Sequence, residues 1–273
     1  MPDTLNYNGI NMNEPILLKF DAHWIAIGIF LLILLTNWLG FRYRKFQEAK
    51  PAAEKPEGMG SIESSMFGLM ALLLGFTFSM ALSKFETRRQ VIIEESNDIG
   101  TAVLRTDLFP DSIRTLLRAD FKEYVEARIF YYDAGVDADK IDSALKKTNF
   151  YSGRLWKRAA MLAQDDRYRT SNLQMIPALN SMIDIVSVRE SGRKAKVPPF
   201  ILTMLLILTL ISSFLVGYGY KGKRRNLVMI CIFSLMTTIA LYLILELDRP
   251  QSGMLNLSAA EEHVMALREL FHE

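Results

Sequence analysis

One cysteine, Cys231, stands in 273 residues, so no disulfide can close within the chain and no cysteine cage can hold a metal. Histidine is almost as scarce. His23, His263 and His272 lie too far apart in sequence to suggest a metal cluster. The charges nearly cancel, 32 Lys+Arg against 30 Asp+Glu, which removes the basic excess that a nucleic-acid binder needs. No glycine-rich phosphate loop, no G-x-G-x-x-G after a strand, no H-E-x-x-H and no G-x-S-x-G occurs. No run alternates polar and apolar residues long enough to make a useful strand. These absences point away from an enzyme, a metal, a cofactor and a nucleic-acid partner.

What the chain has is segregation. Half of its residues are hydrophobic while 23% are charged, and the mean hydropathy is positive at +0.14. The apolar residues collect in four runs: 22–41, 64–84, 198–218 and 227–246. At 1.5 Å per residue each run of about 20 residues crosses a hydrocarbon core of about 30 Å. Trp24 and Trp38 sit near the two ends of the first run, as interfacial anchors do. That run is too long for a signal peptide and is followed by Arg42, Arg44 and Lys45, so a permanent span is expected.

Around these spans the reading places an N-terminal segment 1–21, a flexible basic linker 42–63, a basic turn 219–226 and a C-terminal tail 247–273. Residues 85–197 carry more than half of the chain's charge in under half of its length and form the extramembrane domain. Within it, Val91, Ile92, Ile99, Ala102 and Val103 make an apolar stripe of helical period that stops at Phe109-Pro110. Asp111 is expected to cap the next helix, which ends at Gly135. Further helices are expected near 138–164 and 171–191, with Pro177 at a kink or in the first turns. The expected fold is all-α: four membrane spans with a helical bundle between spans two and three.

Four crossings put the domain and both termini on one side. The short connections on the other side hold Arg42, Arg44, Lys45, Lys50, Lys55, Lys221, Lys223, Arg224 and Arg225. By the positive-inside rule they face the cytoplasm and the domain lies outside, although Lys84, Arg88, Arg89, Arg193, Lys194 and Lys196 also hug the membrane.

Span two carries the strongest candidate site. Gly68, Ala71, Gly75, Ser79 and Ser83 form a stripe of small side chains. Such a stripe either lets two helices approach closely or lines an axial pore in an oligomer. In the second case bulky Leu72 and Phe76 beside it form an apolar neck, which gates by dewetting. At the end of span four, Glu246, Asp248 and Arg249 either pair as ions at the membrane boundary or, where subunits meet, form an ion-selecting ring. Glu94-Glu95 reads as a solvated helix face or, less simply, as an acidic ring at a pore mouth. Cys231 reads as packing within the membrane.

The stretches SSMFGLMALLLGFTFSMALSKFETRRQVIIEESNDIGTAVLRTDLFP (64–110) and LELDRPQSG (245–253) resemble a family of bacterial bestrophin-like membrane proteins of uncharacterised function. More remotely, Leu74-Gly75-Phe76 followed by Lys84-Phe85 is similar to the second span of bestrophins, which are pentameric anion channels. That likeness implies a homo-oligomer, pentameric in the bestrophins, small inorganic anions as the conducted species, and a neck at Leu72 and Phe76. Leu72 stands where bestrophins have an aromatic. The sequence departs from the bestrophins after the last span, where Leu247-Asp248-Arg249-Pro250 stands in place of the acidic run that forms their calcium clasp, so calcium gating is not expected. The likeness also implies a cytoplasmic domain, against the loop count.

Together these readings predict a multi-pass channel for small ions in the bacterial plasma membrane, with the bilayer itself as a partner. A membrane sensor or scaffold whose helical domain binds a ligand or partner is the alternative. The linker leaves a sensor no room for an output module of its own.

Overall fold

The computed structural model describes residues 22–49, 59–220, 227–249 and 257–272. Among these residues there is no strand. The helices are α1 (Ala22–Glu48), α2 (Met59–Leu104), α3 (Asp111–Asp133), α4 (Ala138–Leu162), α5 (Arg169–Lys194), α6 (Pro199–Gly219), α7 (Leu227–Asp248) and α8 (Ser258–Met265). Short 3-10 turns follow α2 at Arg105–Leu108 and α8 at Ala266–Phe271. Four helical stretches, containing α1, α2, α6 and α7, are long and apolar enough to cross a membrane. The protein is an all-α, four-span membrane protein.

Several local expectations are corrected. α1 runs on to Glu48 and α2 starts at Met59, so both helices extend into the stretch read as flexible linker. The centre of that stretch, 50–58, lies outside the described residues. So do Lys221, Lys223, Arg224 and Arg225 of the basic turn. Asp111 is not the cap of α3. Pro110, with ψ at 154°, takes the cap position, and Asp111 becomes the first helical residue, where its carboxylate meets Arg114 at 2.8 Å and favours the helix dipole. Asp137 is a true cap: its side chain accepts the backbone N–H groups of Asp139 and Lys140 at the start of α4. The helical pattern also passes through Pro177 without a break. After α3 the chain reverses at Gly135, whose φ of 55° suits a residue without Cβ.

The chain divides into two compact units. The described residues of Met1–Gly75 and Thr203–Leu245 make one. In it α1 and α6 approach closely. A Cβ added to Gly40 would overlap the Phe214 carbonyl, and one added to Gly217 would overlap the Asn37 carbonyl. The two backbones therefore touch, as small residues allow in membranes. Asn37 and Ser213 exploit that closeness. Asn37 donates to the Ser213 carbonyl at 3.2 Å and Ser213 donates to the Ile33 carbonyl at 2.7 Å. Phe67 of α2 and Phe233 of α7 meet edge to face at 5.9 Å.

The second unit comprises Phe76–Leu202 and Glu246–Glu273. Ile92, Ile99 and Val103 of α2 pack with Phe121 and Tyr124 of α3, Leu155 of α4 and Met182 of α5 in one core. α8 closes it with Val264, and the 3-10 turn after it with Leu267. Arg268, just after α8, forks onto Glu126 at 2.8 and 2.7 Å, and Ser96 donates to the His263 carbonyl at 2.8 Å. This docking ties the tail to α2 and α3.

Candidate functional site

α2 runs 46 residues without proline, about 69 Å of helix at 1.5 Å per residue. Its two faces differ sharply. Met70, Thr77, Ala81 and Arg88 share one face and are buried. Gly68, Ala71, Leu72, Gly75, Phe76, Ser79 and Ser83 are all exposed on the surface of the single chain. Phe76 is 63% exposed and Leu72 is 54% exposed, one helical turn apart. A Cβ on Gly68 or Gly75 would meet nothing within 4 Å. Among the described residues of one chain, then, the small stripe of α2 makes no close helix contact. That task falls to Gly40 and Gly217.

Where α2 leaves the apolar stretch, Arg88 turns inward and is buried. Its guanidinium donates to three carbonyls: Ala195 at 2.6 Å, Gly192 at 3.1 Å and Leu247 at 3.2 Å. Gly192 and Ala195 belong to the end of α5 and Leu247 to the last turn of α7. Helix ends leave such carbonyls unbonded and carry partial negative charge. Asp248, also buried, lies 3.9 Å from the guanidinium and accepts the Val197 N–H at 2.7 Å just before α6. Of the other two candidates, Glu246 is buried and Arg249 half-buried. In sequence Asp248 stands with its chain neighbours Glu246 and Arg249, and Arg88 among the juxtamembrane basic residues. Nothing in a one-dimensional pattern joins positions 88, 195 and 247.

Farther along α2 the Glu94-Glu95 pair separates. Glu94 is exposed, whereas Glu95 is fully buried. The Arg128 Nε donates to Glu95 Oε1 at 2.5 Å, the Tyr132 hydroxyl donates to Oε2 at 2.8 Å, and Arg189 approaches Oε2 at 3.5 Å. Tyr131 and Tyr132 are packed against the guanidinium faces, with Arg189 3.7 Å from the Tyr132 centroid and Arg128 4.6 Å from that of Tyr131. Burial alone would raise the Glu95 carboxyl, but the charges of Arg128 and Arg189 outweigh it and hold it below the ordinary range. Burial pushes the Tyr131 hydroxyl up to about 12. The solvated-face reading fails for Glu95, and its register was the available signal. It falls between Ile92 and Ile99 on the stripe already marked as apolar.

A cleft of about 340 Å³ between α3 and α4 is lined by Phe130, Phe150, Tyr151 and Glu123. The chain fills its chemistry itself: Lys147 covers Phe130, and the Tyr151 hydroxyl donates to Glu123. Cys231 is exposed on α7, so it does not pack within the chain.

A helical membrane protein with this element order has known counterparts. The chain belongs to the Bestrophin-like domain family, whose model matches residues 27–261. A crystal structure of a bacterial bestrophin homolog from Klebsiella pneumoniae, a single-residue variant, superposes with a TM-score of 0.67 at 15% identity, covering 90% of this chain and 99% of that one. A second variant of the Klebsiella pneumoniae homolog gives 0.68 at 15% identity, covering 95% and 100%. A structure described only as a membrane protein variant gives 0.69 at 14% identity, covering 90% and 99%. No curated protein matches the sequence significantly. At these identities the likeness establishes the fold.

Proposed function

We propose that the protein is an oligomeric channel for small ions in the bacterial plasma membrane, with the exposed face of α2 turned to a central axis. In this reading the spans are 22–41, 64–84, 198–218 and 227–246, and residues 85–197 form the helical domain beside the pore. The observation that carries it is the exposure of Leu72 and Phe76 on a face of α2 that no other described helix covers. Copies of the chain meeting around that face would bring the small stripe to a narrow axis and stack Leu72 and Phe76 into two apolar rings about 6 Å apart. A neck of this kind passes ions only when it is wetted. Membership of the Bestrophin-like family supports the reading, and the bestrophin resemblance suggests a pentamer and anions.

Asp248 is read as a boundary ion-pair partner, since Arg88 and the Val197 N–H already occupy it. Reconstitution in planar bilayers tests the proposal. The wild type should show discrete conductance steps, and Phe76→Ala should raise the unitary conductance by widening one ring. Silence from an intact, correctly assembled preparation, or an unchanged unitary conductance in Phe76→Ala, would remove the pore assignment.

A further inference from the structure

A buried guanidinium normally faces carboxylates. Arg88 instead faces three main-chain carbonyls from two helix ends, Gly192, Ala195 and Leu247, with Asp248 at 3.9 Å. Arginine presents five donors in one rigid plane, so a single side chain can hold several acceptors in fixed directions. Lysine, a point charge on a flexible stem, cannot reproduce that fork. The acceptors belong to the end of α5 and the last turn of α7, and Asp248 grips the Val197 N–H before α6 begins. One side chain of α2 thus engages the segments through which three other helices begin or end.

We propose that Arg88 is a positioning residue for the pore: it fixes the rotation of α2 about its own axis, and so the direction in which Phe76 points. The twelve residues from Phe76 to Arg88 span about 18 Å of uninterrupted helix. They contain no proline to absorb a twist. Rotation permitted at Arg88 therefore appears at Phe76. The inference rests on the channel reading for its functional consequence, but the orientation of α2 can be measured without any current.

Ser79→Cys in a Cys231→Ser background places a nitroxide on the exposed face of α2, and pulsed electron resonance reads label-to-label distances within the assembled protein in lipid. Arg88→Ala should broaden the distance distribution and, in the otherwise wild-type unlabelled channel, shorten dwell times at the main conductance level about tenfold, equivalent to about 1.4 kcal/mol. Added guanidinium ion, which fits the vacated place, should restore both. Arg88→Lys should behave like Arg88→Ala without that rescue, and Asp248→Asn should broaden the distribution less, because it leaves the three carbonyl contacts in place. Should Arg88→Ala not assemble, Arg88→Lys and Asp248→Asn carry the test. A distribution unchanged in every assembled variant overturns the proposal, as does broadening in Arg88→Ala that guanidinium fails to reverse. If the unlabelled wild type assembles but passes no current, the channel reading fails alone, and the distances still decide whether Arg88 positions α2.

Discussion

Replacing Glu95 by alanine should be among the most damaging single changes in the helical domain. Glu95 and Arg128 are both wholly buried, joined at 2.5 Å, and Arg189 approaches the same carboxylate. Glu95→Ala leaves Arg128 charged, buried and without its anion, and removes the acceptor of the Tyr132 hydroxyl. Breaking a buried pair from one side costs about 3–5 kcal/mol. For a unit of this size each kcal/mol moves the midpoint by about 2–4 °C, so a fall of roughly 6–20 °C is expected. Glu94→Ala, one residue earlier but exposed, should stay within about 0.5 kcal/mol of the parent. Glu95→Gln keeps an acceptor for Arg128 and should fall between them. The assay is the heated fraction of detergent-solubilised protein that stays monodisperse, with all variants at one heating rate, because membrane proteins often unfold irreversibly. Equal midpoints for Glu95→Ala and Glu94→Ala would refute the reasoning.

Acidification should act through the same carboxylate. Glu95 is held below its ordinary 4.5 in the folded protein, so the unfolded chain binds the proton more readily. Its stabilisation is complete above about pH 4.5 and is lost as the pH falls through the folded-state value. The midpoint of the wild type should therefore drop more steeply below that pH than the midpoint of Glu95→Gln. Gly217→Ala should destabilise by about 1–3 kcal/mol, because its Cβ runs into the Asn37 carbonyl, and assembly yield on gel filtration should fall. Gly75→Ala meets nothing among the described residues, so its effect on folding should be neutral to slightly favourable, and any loss should appear in oligomer formation instead. Asp137→Ala should cost about 1 kcal/mol through loss of the α4 cap, read as a lowered midpoint.

The architecture was legible because its causes are local. Runs of apolar residues with no charge specify spans, and stripes such as Ile92, Ile99 and Val103 specify the core face of a helix. Gly135 could be placed from its neighbours for the same reason. Boundaries were less legible: the charged ends of α1 and α2 stay helical past the apolar stretches, since Arg, Lys and Glu are good helix formers. The site was legible only on one element. Leu72 and Phe76 could be singled out along α2 by size and spacing, but the partners of Arg88 lie about a hundred residues or more away. The close approach of α1 and α6 was equally invisible, because a glycine matters there through the backbone opposite it. Glu95 is the instructive miss. Its position on an apolar stripe signalled burial, and a buried carboxylate requires a cation from elsewhere in the chain.

The most direct test of the whole account is a single-particle reconstruction of the solubilised assembly in lipid. The expected result is a closed ring of identical subunits with α2 nearest the axis and the side chains of Leu72 and Phe76 forming its narrowest point. A monomer, or a ring in which that face of α2 looks outward into lipid, would contradict it.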